Sequence, residues 1–194
     1  WNMSCILPGG INCPESAGRD LDFGASPVLV RGADGRDVLV AGQKSGMVYG
    51  IDLADGAVRW SRRLGRGGPL GGVHWGLAAR DGVVFVPISD YLNPIPGLKA
   101  PQPEDPTLPK MPGLYALEAA TGELRWATAV RPTCADSAAC YPGLSAAVTA
   151  LSDLVLAATL DGRWQAYDLA TGKVRGDRAT ARECQAGEGR SAQG

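Results

Sequence analysis

Histidine is nearly absent from this 194-residue chain, which holds one, His74. No C-x-x-C pair occurs either. A structural zinc site therefore lacks its usual ligand pattern, and c-type haem, which needs C-x-x-C-H, has no attachment point in these residues. Charge of one sign is not in excess: 19 Lys and Arg stand against 20 Asp and Glu. A nucleic acid or other polyanion would call for a basic stripe, so that class of partner is not expected. No apolar run reaches the roughly 18 residues of a membrane-spanning helix, and no secretory leader pattern is visible. The chain opens Trp-Asn-Met, so the expectation is that a leader has been removed or that this is a piece of a longer protein.

What is plentiful is turn chemistry. There are 27 Gly and 14 Pro, while aromatics make up only 6%, which points to many turns and few long helices. The length suffices for one sizeable domain. Five cysteines are present. Cys134 and Cys140, in "RPTCADSAACYPG", and Cys5 and Cys13, in "SCILPGGINCPE", are close pairs in loop-like segments with no histidine beside them. Such pairs suggest local disulfides and an oxidising compartment; buried free thiols are the other reading. Cys184 is left over.

An internal repeat organises the chain. "GMVYGIDLADGAVRW" (Gly46–Trp60), "PGLYALEAATGELRW" (Pro112–Trp126) and "DGRWQAYDLATGKVRG" (Asp161–Gly176) align without gaps. Each holds an alternating strand that ends on an acid, at Asp52, Glu118 or Asp168. A glycine follows four residues later, at Gly56, Gly122 or Gly172. Four further on stands Trp60, Trp126 or, in the third copy, Gly176. The acid can accept backbone N–H bonds in the turn, and glycine supplies the positive φ that reverses the chain. The tryptophan brings large apolar area and one N–H needing a partner, which suits it to locking one repeat to its neighbour.

Upstream of each copy lie two further strand-like stretches: "SPVLVRG" and "DVLVAGQ", "WGLAARDG" and "VVFVPIS", "SAAVTALSD" and "LVLAATL". Four strands per unit, with the acids 66 and 50 residues apart, fit propeller blades. The extra length in the second unit, "DYLNPIPGLKAPQPEDPTLPKM", is proline-rich and reads as a loop on one face. The expectation is an all-β chain forming a partial propeller over residues 1–181, with an unstructured tail over 182–194, where apolar periodicity is lacking.

The acid–x–x–x–Gly–x–x–x–Trp repeat resembles the tryptophan-docking motif of pyrroloquinoline quinone (PQQ) dependent alcohol dehydrogenases. "DLDFGASPVLV", "GQKSGMVYGIDLADGAVRW", "GGPLGGVHWGLA" and "CYPGLSAAVTA" look most like their polyvinyl-alcohol dehydrogenase branch, over roughly Trp1 to Val174. The resemblance implies three to four blades of an eight-bladed propeller, with PQQ at the central axis and calcium beside it. Asp22 matches the family's general base and calcium ligand, with Asp20 the nearby alternative; spacing alone equally allows a turn aspartate ahead of a strand. Lys44 matches the cation that reaches the quinone oxygens, where a fixed charge in a dry channel stabilises growing negative charge; a solvated turn lysine is the other reading. His74 and Trp75 match a position where the family places Asn or Gln followed by an aromatic, so the histidine is a departure. It would donate to a quinone oxygen, titrate near neutrality, or simply be satisfied at a strand edge. Trp75 would wall the channel.

The family's remaining calcium ligands and its stacking aromatic fall in earlier blades, and the branch's haem c segment is not in this chain. The resemblance thus implies part of a periplasmic enzyme. That enzyme would pass hydride from a small or polymeric alcohol to PQQ and electrons to a cytochrome c. This chain by itself is expected to be inactive. A cofactor-free binding or assembly propeller explains the repeat as well, and a nonfunctional gene fragment would fit the unmatched tail.

Overall fold

The computed structural model describes residues 11–15, 18–68, 71–90, 105–131, 142–180, 183–185 and 191–193. They form three four-stranded antiparallel sheets in sequence order. The first holds β1 (Val28–Arg31), β2 (Asp37–Gly42), β3 (Met47–Asp52) and β4 (Val58–Arg63). The second holds β5 (Ala78–Arg80), β6 (Val83–Ile88), β7 (Gly113–Glu118) and β8 (Leu124–Ala129). The third holds β9 (Thr149–Ala150), β10 (Leu154–Ala158), β11 (Arg163–Asp168) and β12 (Val174–Ala179). Each sheet is a meander whose neighbours in sequence are neighbours in space, which is the blade that the repeat implied.

The blades stack face to face, and the burial pattern of their strands shows it. In β2 every second residue is buried, as expected when one face is covered. In β6 all six residues, VVFVPI, are buried. Val84, Val86 and Ile88 join Val38, Val40 and Val48 of the first blade in one core. Val83 and Phe85 point the other way, into a second core with Val155, Ala157 and Tyr167 of the third blade. The middle blade is thus sandwiched.

The tryptophans make the joints. Trp60 Nε1 donates to the Ala119 carbonyl at 2.9 Å, and Trp126 Nε1 donates to the Leu169 carbonyl at 3.1 Å. Each ring lies over the turn glycine of the next blade: a Cβ added to Gly122 would sit 2.6 Å from Trp60 Cδ2, and one added to Gly172 would sit 2.6 Å from Trp126 Cδ2. The residue two past each tryptophan seals the contact, with Arg62 Nη1 donating to the Gly122 carbonyl at 3.1 Å and Thr128 Oγ1 to the Gly172 carbonyl at 2.7 Å. The first blade's glycine, Gly56, has the same turn and φ +74, but a Cβ there would meet no described atom within 4 Å. On the third blade Gly176 stands where a tryptophan would reach outward.

Within each turn the acid's carbonyl accepts the glycine N–H: Gly56 to Asp52, Gly122 to Glu118, and Gly172 to Asp168. The acid's side chain also pairs with an arginine seven residues on. Arg59 Nε lies 3.0 Å from Asp52, Arg125 Nε 2.8 Å from Glu118 and Arg175 Nη2 2.8 Å from Asp168.

In the 182–194 segment, β13 (Glu183–Gln185) and β14 (Ser191–Gln193) pair antiparallel with each other and with no other sheet. Cys5, Cys134 and Cys140 lie outside the described residues, as do 91–104 of the proline-rich loop.

Candidate functional site

The site lies at the end of the strands where β2 turns into β3. The turn is tight: Gly46 N donates to the Gln43 carbonyl at 3.0 Å, and Gly46 adopts φ +83. Glycines let a second segment close over it. Gly68 N donates to the Lys44 carbonyl at 3.0 Å, and Val73 N donates to the Gln43 carbonyl at 3.2 Å. A Cβ at Gly72 would come within 2.5 Å of Gly46 N. The glycine-rich run ahead of His74 therefore permits backbone to pass against the lysine turn.

Lys44 is buried. Its backbone N–H donates to the Asp22 carbonyl at 3.1 Å, which brings the segment ahead of β1 to the turn. Gly24 lies in that segment, where a Cβ would fall 2.9 Å from the His74 carbonyl oxygen and 3.6 Å from Lys44 Cε. The ammonium pairs with Asp22 Oδ1 at 2.8 Å and Asp20 Oδ1 at 3.0 Å. Asp20 is largely covered, whereas the Asp22 side chain is 60% exposed and open to a ligand. An ammonium has three donors, so one remains beyond these two pairs. Burial presses the Lys44 pKa downward, but the hydrogen bonds and charges of Asp22 and Asp20 outweigh it and the net shift is upward.

His74 comes to the same end through a parallel bridge between Ser26 and Gly76. It is buried, and its Nδ1 lies 2.7 Å from Ser145 Oγ of the third blade. Burial lowers its pKa below the ordinary 6.5, the Lys44 charge lowers it further, and Asp22 and Asp20 pull partly the other way. Trp75 is 63% exposed, its ring centroid 4.6 Å from that of His74. Asp22, Lys44, His74 and Trp75, four residues singled out from the sequence, thus gather at one end of adjoining blades. Asp20 and Asp22 both pair with Lys44.

Two neighbours were not read from the sequence. Ser145 occupies the place in the third blade that His74 occupies in the second; aligning the strand entries "GVHWGLA" and "GLSAAVT" would have exposed it. Asp90 follows β6 by two residues, as Lys44 follows β2. It is fully buried with φ +48, and its carboxylate accepts N–H bonds from Arg66 (3.1 Å), Gly67 (3.2 Å) and Met111 (3.0 Å). Where the first blade sets a cation the second sets a carboxylate, spent on backbone N–H groups and tying Met111 to the glycine-rich segment.

Chemically, the cluster offers an exposed carboxylate, a buried cation with an unspent donor and a buried imidazole. It does not by itself make a metal centre: among the described residues no group of three or more His, Cys, Asp and Glu could hold an ion. A cleft lined by Arg31, Gly32, Arg80, Asp81 and Gly82 lies at the opposite end of the strands and shares none of these groups.

Residues 22–193 match the family described as outer membrane protein assembly factor BamB. The chain is 40% identical over 170 residues to the polyvinylalcohol dehydrogenase of a Pseudomonas sp., covering 86% of this chain and 25% of that protein. It is 38% identical over 167 residues to that of Sphingopyxis sp. (strain 113P3), covering 84% and 24% respectively. This chain thus spans about a quarter of the length of these curated relatives. Among solved structures, the quinohemoprotein alcohol dehydrogenase ADHIIG from Pseudomonas putida HK5 superposes with a TM-score of 0.57 at 20% identity, covering 86% of this chain and 22% of that one. That likeness shows the propeller fold.

Proposed function

Since the chain belongs to the propeller-repeat family described as outer membrane protein assembly factor BamB and is PQQ-dependent alcohol dehydrogenase-like, we propose that it forms part of a periplasmic quinoprotein that oxidises an alcohol, polyvinyl alcohol among the candidates, and passes the electrons to a cytochrome c, with haem c in another part of that protein. The observation that carries this reading is the Lys44 ammonium, buried between Asp22 and Asp20 at 2.8 and 3.0 Å with a donor to spare. A buried cation is costly unless paired, and here the pairing leaves one carboxylate open to a ligand.

The donor set suits the oxygens of PQQ, which Lys44 and His74 would hold, with Trp75 as a wall. Bound PQQ would supply the hydride acceptor. Asp22, exposed and anchored by Lys44, accepts the proton of the substrate hydroxyl, as a base within hydrogen-bond reach can. Lys44 offers fixed positive charge where negative charge grows on oxygen, an interaction that strengthens as the reaction proceeds. Calcium does not fit these residues alone, because both nearby carboxylates face the ammonium and, among the described residues, no third ligand joins them. Among the described residues no helix is long and apolar enough to cross a membrane.

The rival reading, a scaffold propeller without cofactor, draws on the family description. It explains the joints but gives Lys44 and the open carboxylate of Asp22 no task. The two are separated by grafting these residues onto the matching segment of a polyvinylalcohol dehydrogenase and assaying dye-linked alcohol oxidation with PQQ. The graft should turn over, and Lys44→Ala within it should lose about 10²-fold or more, the scale of one transition-state charge stabiliser. Equal turnover by a folded Lys44→Ala graft would overturn the assignment.

A further inference from the structure

Ser145 belongs to a different blade from Lys44 and His74, and nothing in the functional reading above requires it. Its hydroxyl is buried, and among the described residues its one hydrogen-bond partner is His74 Nδ1, at 2.7 Å. A buried O–H that donates to nothing is costly. Among the described residues the acceptor within reach is the Nδ1 lone pair, so the hydroxyl proton lies on the Ser145 side, pointing at Nδ1. Neutral imidazole carries one proton, which then sits on Nε2. The reverse arrangement, Nδ1–H donating to Oγ, would leave the serine proton with no acceptor among the described residues. Nε2 has no hydrogen-bond partner among the described residues.

We propose that Ser145 is a positioning residue that holds His74 as its neutral Nε2–H tautomer, so that the site presents one cation, Lys44, and beside it an uncharged N–H donor. The charged groups facing His74 are Lys44, Asp22 and Asp20; a second cation next to the ammonium would be opposed by the first, whereas a neutral donor is not. A cation plus a neutral N–H is a donor pair for two oxygens that differ in charge, the class of a carbonyl beside a carboxylate. The identity of that ligand rests on the functional reading above; the tautomer does not.

Because His74 is the chain's only histidine, its ring nitrogens can be read without ambiguity. The experiment is two-bond ¹H–¹⁵N correlation of the ¹⁵N-histidine-labelled 194-residue chain at about pH 8, above the ordinary histidine pKa, with no PQQ present. The expected result is a proton-bearing shift at Nε2 and an unprotonated shift at Nδ1, displaced by the hydrogen bond it accepts. Ser145→Ala should mix the tautomers, moving the Nδ1 shift toward the proton-bearing range and the Nε2 shift away from it. Ser145→Thr should keep the native pattern, since it retains the donor. A proton-bearing Nδ1 in the native chain would overturn the proposal, and so would a Nδ1 shift unchanged by Ser145→Ala. As no cofactor takes part, this measurement and the graft assay of function can fail independently.

Discussion

Replacing Gly172 by alanine should cost far more than replacing Gly56, although the two glycines hold the same place in the repeat and nearly the same φ, +69 and +74. At Gly56 the added Cβ meets no described atom within 4 Å, so only the backbone matters. A non-glycine residue in the left-handed region costs about 1–2 kcal/mol. The reduced freedom of the unfolded chain returns roughly 0.4–1 kcal/mol, leaving a net loss near 0.5–1 kcal/mol. At Gly172 the same terms apply, but the Cβ would lie 2.6 Å from Trp126 Cδ2 and 2.8 Å from Thr128 Oγ1. The ring must lift, which costs about 1–3 kcal/mol as overpacking, and its bond to the Leu169 carbonyl, worth about 1 kcal/mol net, is lost. Gly172→Ala should therefore fall about 2–4 kcal/mol below Gly56→Ala, and Gly122→Ala should behave like it through Trp60. Urea unfolding followed by tryptophan fluorescence reads the difference as a midpoint gap of about 1–2 M. Equal midpoints for Gly56→Ala and Gly172→Ala would show that the tryptophan does not depend on the bare glycine, and the account of the joint would be wrong.

Removing the Lys44 charge should raise the pKa of His74, since the ammonium is, after burial, a cause of its lowering; an unchanged or lower midpoint for Lys44→Met, followed by ring-proton shifts, would contradict this. Because the folded-state pKa of His74 lies below the unfolded value, its contribution to stability is complete above about pH 6.5 and is lost as pH falls through the folded value; denaturant midpoints measured down that range should fall less steeply in His74→Gln. Asp90→Asn keeps a residue that tolerates positive φ but turns an acceptor-only group into one bearing donors against three N–H groups, so a loss of about 2–3 kcal/mol in urea unfolding is expected, and a loss below about 0.5 kcal/mol would mean the carboxylate is not what pins Met111. Cys134 and Cys140 should appear as a linked peptide in non-reduced mass spectra of protein made in an oxidising compartment; alkylation of both in the native protein would exclude the bridge.

The blades were legible because their signals repeat. A strand, an acid, a glycine and a tryptophan at fixed offsets, seen three times with one lapse, fix both the sheet and its joint. The arginine partners of the acids lay in the same aligned lines, at Arg59, Arg125 and Arg175, and went unread because the acid was assigned to turn N–H groups alone. Lys44 and Asp22 were legible only through resemblance, since no spacing in the sequence says that residues 22 apart share an ion pair. Asp90 was beyond reach for a related reason, since its role arises where one blade's turn meets its neighbour, whereas Ser145 needed only the two strand entries laid side by side. In the tail, which lacks apolar alternation, β13 and β14 pair with each other alone among the described strands.

The joint between blades has a sense of direction: the earlier unit always brings the indole and the later unit always brings the glycine. Among the described residues Gly56 on the first blade meets no indole, and on the third blade Gly176 stands at the position from which Trp60 and Trp126 reach their neighbours. Two copies therefore cannot couple tail to head by the contact that couples their own blades. Head-to-tail contacts that do not close are the ones that grow into open filaments, and a stack of self-similar sheets is otherwise well suited to such growth. With Gly176 at that position, the third blade would have to hold any neighbouring unit by a contact other than the indole-on-glycine joint.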